Sequence, residues 1–241
     1  MCTLTIIPKD NKDFILTQNR DEAPDRIAMP PDFYDVDGTT LLFPKDKLAG
    51  GTWIGISEKN RVVCVLNGGF VLHQRKPSYR KSRGVVANDF MLSDTIIKTV
   101  EAYDFRDIEP FTVVVVDWNT NLRLFELVWD GEQKHFTELP LESKIWSSST
   151  LYSEAMKQER REWFEDFKSE NPLEAENLLN FHKNSGQGND DYGIVMNRGF
   201  VKTTSITQVE KKHEVLQMHY EHLDTKTVTA KTLKVPQVVN G

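Results

Sequence analysis

Met1-Cys2-Thr3-Leu4-Thr5-Ile6-Ile7 opens the chain, and beyond Pro8-Lys9-Asp10-Asn11-Lys12-Asp13 it continues as Phe14-Ile15-Leu16-Thr17-Gln18-Asn19-Arg20-Asp21-Glu22. The first run alternates as a strand does, and Phe14 to Thr17 is a second β-rich run. Asp10 and Asn11 tolerate the left-handed backbone of a tight hairpin. A turn centred on them sets position 2 opposite position 19 and delivers Asn19-Arg20-Asp21-Glu22 beside the Cys2 thiol. Removal of Met1, common before a small residue such as Cys, leaves one residue with both a thiol and a free α-amine, a nucleophile carrying its own base. The alternative is that Cys2 is an ordinary buried strand residue, as free cysteines often are.

Outward from this hairpin, 53–57 and 61–67 read as strands joined by the turn Glu58-Lys59-Asn60, and Gly50-Gly51 marks a bend where another backbone comes close. A helical stretch runs from Ser82 to about Glu101. Val85, Val86 and Phe90 form its apolar face, and Ser93 caps a second helix carrying Ile96, Ile97 and Val100. Residues 111–118 include four consecutive valines, which suits a strand buried on both faces. It pairs with 122–129 across Asn119-Thr120-Asn121, and 144–148 is a further short strand. Met156, Trp163, Phe164 and Phe167 then fall on one side of a helix. Asn171-Pro172-Leu173-Glu174 has the signature of a helix start with Asn171 as N-cap, and that helix runs to about His182. Strands return at 193–196, 203–209 and 214–220. This order gives an α+β protein with two sheets between helical layers. No linker divides the chain, so one domain spans 1–241, with 234–241 as a flexible tail.

Composition excludes several classes. With 39% hydrophobic and 27% charged residues and a net charge of −6, the chain has a globular composition without the electrostatic footprint of a nucleic-acid binder. No apolar run reaches the length of a membrane span, and the N-terminus lacks a signal peptide's basic start and apolar core, so the expected location is the cytoplasm. Cys64, within Val62-Val63-Cys64-Val65-Leu66, reads as a buried strand residue, and a structural disulfide with Cys2 is not expected in a reducing compartment. His213, His219 and His222 invite a metal reading, but strand alternation puts His219 and His222 on opposite faces, so no metal is expected. Phosphate-loop and dinucleotide spacings are missing, and no cofactor is expected. Ser147-Ser148-Ser149 lacks the glycine-flanked elbow of a serine hydrolase.

Two clusters stay open between a structural and a chemical reading. Leu66-Asn67-Gly68-Gly69 is either a strand-ending turn or an oxyanion hole, with the Asn67 amide as donor and the glycines letting backbone approach a substrate. Arg75, Lys76, Arg80, Lys81 and Arg83 form either a solvated loop or a clamp for a phosphate- or carboxylate-bearing ligand.

Taken together, Met1-Cys2-Thr3, Asn19-Arg20-Asp21-Glu22, Ala49-Gly50-Gly51-Thr52-Trp53-Ile54-Gly55, Leu66-Asn67 and Ser82-Arg83-Gly84 resemble the NRDE family, which includes the transport-and-Golgi-organisation type 2 proteins. That family is similar in turn to the cholylglycine and penicillin V acylases. The resemblance implies a four-layer αββα sandwich of N-terminal-nucleophile hydrolase type. It places Cys2 as nucleophile, Asp21 as the carboxylate that holds the α-amine, Arg20 as the nearby guanidinium and Asn67 as oxyanion donor. Asn19, Trp53 and Ser148 fall at substrate-contacting positions. Gln18 stands where the acylases carry an Arg, and Ser148 where a second amide is common. The family is also associated with haem and acyl-lipid handling. Two functions therefore follow: a thiol amidohydrolase acting on a linear amide or acyl compound, or a non-catalytic carrier holding a haem-like or acyl ligand in the same cleft. Either takes a small molecule as its partner, with no nucleic acid and no stable membrane insertion.

Overall fold

The computed structural model describes residues 2–10 and 12–234. The opening hairpin forms as β1 (Cys2–Pro8) and β2 (Phe14–Glu22), paired antiparallel. Its register differs by one residue from the sequence expectation, since Cys2 opposes Arg20. The reason is the loop: Lys9 N–H donates to the Asp13 carbonyl at 2.8 Å and Pro8 pairs with Phe14, one residue more than a turn centred on Asp10-Asn11 allows. In a strand pair a one-residue slip exchanges the faces of every side chain. Here it puts Arg20, not Asn19, on the same face as Cys2.

The chain continues through β3 (Ala28–Val36), β4 (Thr39–Asp46), β5 (Ile54–Ser57), β6 (Arg61–Asn67), α1 (Arg83–Leu92) and α2 (Ile96–Ala102). β7 (Phe111–Asp117), β8 (Arg123–Trp129), β9 (Lys134–Leu139) and β10 (Lys144–Ser147) follow. Last come α3 (Glu154–Glu170), α4 (Ala175–Asn184), β11 (Lys202–Lys212), β12 (Val215–His222) and β13 (Thr227–Lys234). The strands build two antiparallel sheets, one in the order β10-β1-β2-β11-β12-β13 and one running in sequence order from β3 to β9.

Strand alternation sorts the core into three apolar layers. Cys2, Leu4, Ile6, Phe14 and Leu16 face the second sheet and meet Ile54, Cys64 and Val114 from it. The other face of the second sheet offers Val63, Val113 and Val115 to Val86, Phe90 and Met91 of α1 and Ile96 and Val100 of α2. On the far side, Ile7 and Ile15 meet Phe164 of α3 and Leu178 and Phe181 of α4. The protein is therefore a four-layer αββα sandwich. Each fully buried Leu, Ile or Phe contributes roughly 1.5–3 kcal/mol to holding these layers together.

Several local expectations change. β3 and β4 form around Pro30-Pro31, where the register shifts between Met29 and Asp32, as the edge position of β3 permits. Their turn is Asp37-Gly38, both at positive φ (51° and 74°), a hairpin signal the proline pair obscured. The edge strands β9 and β13 are partly exposed and carry weak apolar patterns. Asn171 ends α3 instead of starting α4, because its side-chain and backbone N–H groups both donate to the Phe167 carbonyl; the cap of α4 is Glu174. The cap of α2 is Thr95 and not Ser93. Residues 193–196 form no strand, only a loop beside the isolated Asn197–Lys202 bridge. Lys234 closes β13, and the remainder of the expected tail, 235–241, lies outside the described residues.

Candidate active site

The four residues that end β2 point alternately to opposite faces of their sheet, and this alternation builds two different environments. Arg20 and Glu22 face the second sheet and line a cleft of about 260 Å³ together with Cys2, Trp53 and Asn67. Asn19 and Asp21 face the helical layer, where each is fully buried.

On the cleft side, Arg20 Nη2 donates to Asp46 Oδ2 at 2.9 Å, and Arg26 Nε donates to the same oxygen at 2.7 Å. Glu22 lies 3.9 Å from Arg20 and 3.7 Å from Arg26. The Arg20 guanidinium stacks 4.4 Å from the centre of the Trp53 ring, which holds the planar cation against the cleft wall. Asn67 ends β6, and Ser148 pins it beside β1: the Ser148 hydroxyl donates to the Asn67 carbonyl at 2.5 Å and its N–H donates to the Cys2 carbonyl at 3.0 Å. The Asn67 side-chain amide has no hydrogen-bond partner among the described residues, and neither has the buried Trp53 indole N–H. Gly51 brings the start of α1 to the cleft, since a Cβ there would sit 2.4 Å from the Gly84 carbonyl carbon.

Burial pushes the Cys2 thiol up from its ordinary value, so the neutral thiol dominates near pH 7. Cys64, also fully buried, is pushed well above. A base is therefore required for Cys2 to attack, and among the described residues no histidine lines the cleft.

The helical side is a closed polar network. Asp21 accepts from Tyr152 OH and from Thr203 Oγ1, both at 2.7 Å. Burial raises its carboxyl despite the nearby Arg160 cation and these two donors. Arg160 is itself fully buried and donates to Thr3 Oγ1, Ser147 Oγ and the carbonyls of Tyr192 and Gly193, with its guanidinium 3.6 Å over the Tyr152 ring. Asn19 donates its two amide hydrogens to the His182 and Ile194 carbonyls, so its Oδ1 must accept from His182 Nδ1 at 2.6 Å. That assigns the Nδ1–H tautomer and leaves His182 Nε2 to accept from Thr5 Oγ1 at 2.7 Å. Burial pushes His182 down to about 3, so it stays neutral at physiological pH.

Cys2, Arg20, Trp53 and Asn67 thus meet at one cleft. Asp21 lies behind the strand from them, and Asn19 is committed to α4. Ser148 is a brace for Asn67 and not part of the cleft lining. Sequence reasoning missed Tyr152, Arg160, His182 and Thr203 on the helical side and Asp46 and Glu109 on the cleft side. None of these sits in a motif, and the first four reach β1 or β2 across more than a hundred residues. The basic cluster carried a signal: Arg75, Lys76, Lys81 and Arg83 line the cleft, while Arg80 turns away to the Asp104 and Arg106 carbonyls.

The family model described as Transport and Golgi organisation 2 matches residues 1–223. The chain belongs to that family. Among curated proteins none matches the sequence. Solved structures share the architecture at low identity. A penicillin V acylase from Agrobacterium tumefaciens is 13% identical with a TM-score of 0.58, covering 95% of this chain and 85% of that one. A conjugated bile acid hydrolase from Clostridium perfringens is 10% identical with a TM-score of 0.54, covering 97% and 92%. An N-acylethanolamine-hydrolyzing acid amidase orthologue from Caenorhabditis elegans is 12% identical with a TM-score of 0.59, covering 86% and 92%. At these identities the likeness is one of fold. None of the described helices is long and apolar enough to cross a membrane.

Proposed function

We propose that this protein is an N-terminal-nucleophile thiol hydrolase acting on a small amide or related acyl compound. The observation that carries the reading is the meeting, at one cleft, of Cys2 with an Asn67 side-chain amide that has no hydrogen-bond partner among the described residues. Three structures of the same fold are named as an acylase, a bile acid hydrolase and an acid amidase, which supports amide chemistry for this scaffold. Removal of Met1 would free the Cys2 α-amine. That amine would take the thiol proton as sulfur attacks the carbonyl carbon, and the Asn67 N–H would hold the resulting oxyanion. Collapse would expel the amine leaving group, protonated by the α-ammonium, and water would then cleave the thioester. Asp21, fixed by Tyr152 and Thr203 on the strand beside β1, would orient the α-amine, with Arg20 keeping the neighbouring wall cationic.

One observation favours the carrier instead: burial keeps the Cys2 thiol protonated, and a ligand-holding cleft needs no thiolate. Turnover of a panel of N-acyl amides separates the two. The hydrolase reading expects release of amine by the wild type and none by Cys2→Ala, which keeps its fold within about 1 kcal/mol of stability. Ligand binding by both proteins with turnover by neither overturns it.

A further inference from the structure

The charge lining the cleft is unbalanced in a way that hydrolysis of a neutral amide does not require. Arg20, Arg26, Arg75, Lys76, Lys81 and Arg83 contribute cations, against the carboxylates of Glu22, Asp46 and Glu109. Asp46 and Glu22 are taken by Arg20 and Arg26. Next to them one further carboxylate serves several donors: Glu109 lies 3.1 Å from Arg83, 3.8 Å from Arg75 and 3.3 Å from His73. Lys81 and Lys76 lean on Asp89 and Asp107, which do not line the cleft. This end therefore keeps cationic donors in excess.

Arg83 is held in place by the fold. It is the first residue of α1, whose start is clamped by the close approach of Gly51 and by the Thr52 N–H donating to the Gly84 carbonyl at 3.3 Å. Its side chain is only 17% exposed. Burial and the neighbouring Arg75 both disfavour its charge, and Glu109 opposes them. An arginine desolvated to this degree beside one shared carboxylate gains from a second anion. The positive end of the α1 dipole, at Arg83, adds to the preference.

We propose that the Arg83–Arg75 end of the cleft is a subsite for a carboxylate of the substrate, so that the protein takes small carboxylate-bearing amides. The volume fits this class: about 260 Å³ holds a compact molecule with its amide at Cys2 and Asn67 and its carboxylate at Arg83. The subsite deepens the hydrolase reading, but its test does not depend on turnover.

The test is calorimetric titration of N-butyrylglycine and of its neutral counterpart N-butyrylglycinamide into Cys2→Ala, which cannot turn them over, and into Cys2→Ala that also carries Arg83→Gln or Arg75→Gln. The acid should bind about tenfold tighter than the amide, the preference expected for a charge-assisted hydrogen-bonded pair. Arg83→Gln should abolish the preference and Arg75→Gln weaken it. Arg75 is 75% exposed, so its variant remains informative if Arg83→Gln does not fold. Equal binding of acid and amide by Cys2→Ala, or a preference untouched by adding Arg75→Gln, overturns the proposal. Inorganic phosphate displacing N-butyrylglycine at lower concentration than acetate does would overturn the carboxylate assignment in favour of a phosphoryl group. Failure of the hydrolase reading would show separately, as absence of turnover by wild type with the acid still preferred by Cys2→Ala.

Discussion

The two faces of β2 offer a comparison within four residues. On the helical face, Asn19 and Asp21 have their side-chain polar atoms matched, by His182, Ile194, Tyr152 and Thr203. On the cleft face, Arg20 and Glu22 share their partners with Arg26 and Asp46, while the Asn67 amide and the Trp53 N–H nearby have none among the described residues. A satisfied buried network fixes one geometry. Unpaired donors at a cleft are available to a ligand. The motif is thus divided by strand alternation, with a satisfied polar network behind the sheet and an open cleft in front of it.

The largest effect that would break this division is on the helical side. Arg160→Leu removes a buried cation beside Asp21 and leaves Thr3, Ser147 and two carbonyls without their donor. It should lower unfolding stability by about 3–5 kcal/mol in chemical denaturation. A loss under about 1 kcal/mol would mean that the network is not what holds α3 to the sheet.

On the cleft side the pattern should reverse. Asn67→Ala should slow acylation of Cys2 by about 10²–10³, read as the burst with p-nitrophenyl acetate, while shifting stability by about 0.5 kcal/mol or less, because no side-chain hydrogen bond among the described residues is lost. An unchanged burst would remove Asn67 from the chemistry.

A smaller effect sharpens the comparison through pH. The folded form keeps His182 neutral down to about pH 3, whereas the unfolded chain takes up a proton near pH 6.5. Its contribution is therefore complete above pH 6.5 and is lost as pH falls, at up to about 1.4 kcal/mol per unit. Unfolding between pH 6.5 and 5 should show this slope in the difference between wild type and His182→Gln. Parallel profiles would mean that His182 is protonated in the fold.

Much of this architecture is legible in the sequence because period-2 alternation is strong where strands are buried. The runs around Leu4, Val63 and Val114 announce themselves, and Asn19-Arg20-Asp21-Glu22 marks the site. The register was not legible, since a single extra loop residue between Lys9 and Asp13 decides which motif side chains face Cys2. Nor was the network behind Asp21, because Tyr152, Arg160 and His182 reach it only through tertiary packing. The basic loop shows a further limit. Charge in a run is visible in a sequence, but whether Arg83 and Arg75 face water or a cleft depends on where Gly51 and Gly84 meet.

The central claim is that the cleft face presents Cys2 as an N-terminal nucleophile, and timed labelling of the native protein with limiting iodoacetamide, followed by intact and peptide mass, tests it most directly. The account predicts that protein purified from cells lacks Met1 and that the label appears on Cys2 well before Cys64, at a rate that climbs with pH because burial raises the thiol. Retention of Met1, or labelling of Cys64 first, would contradict it.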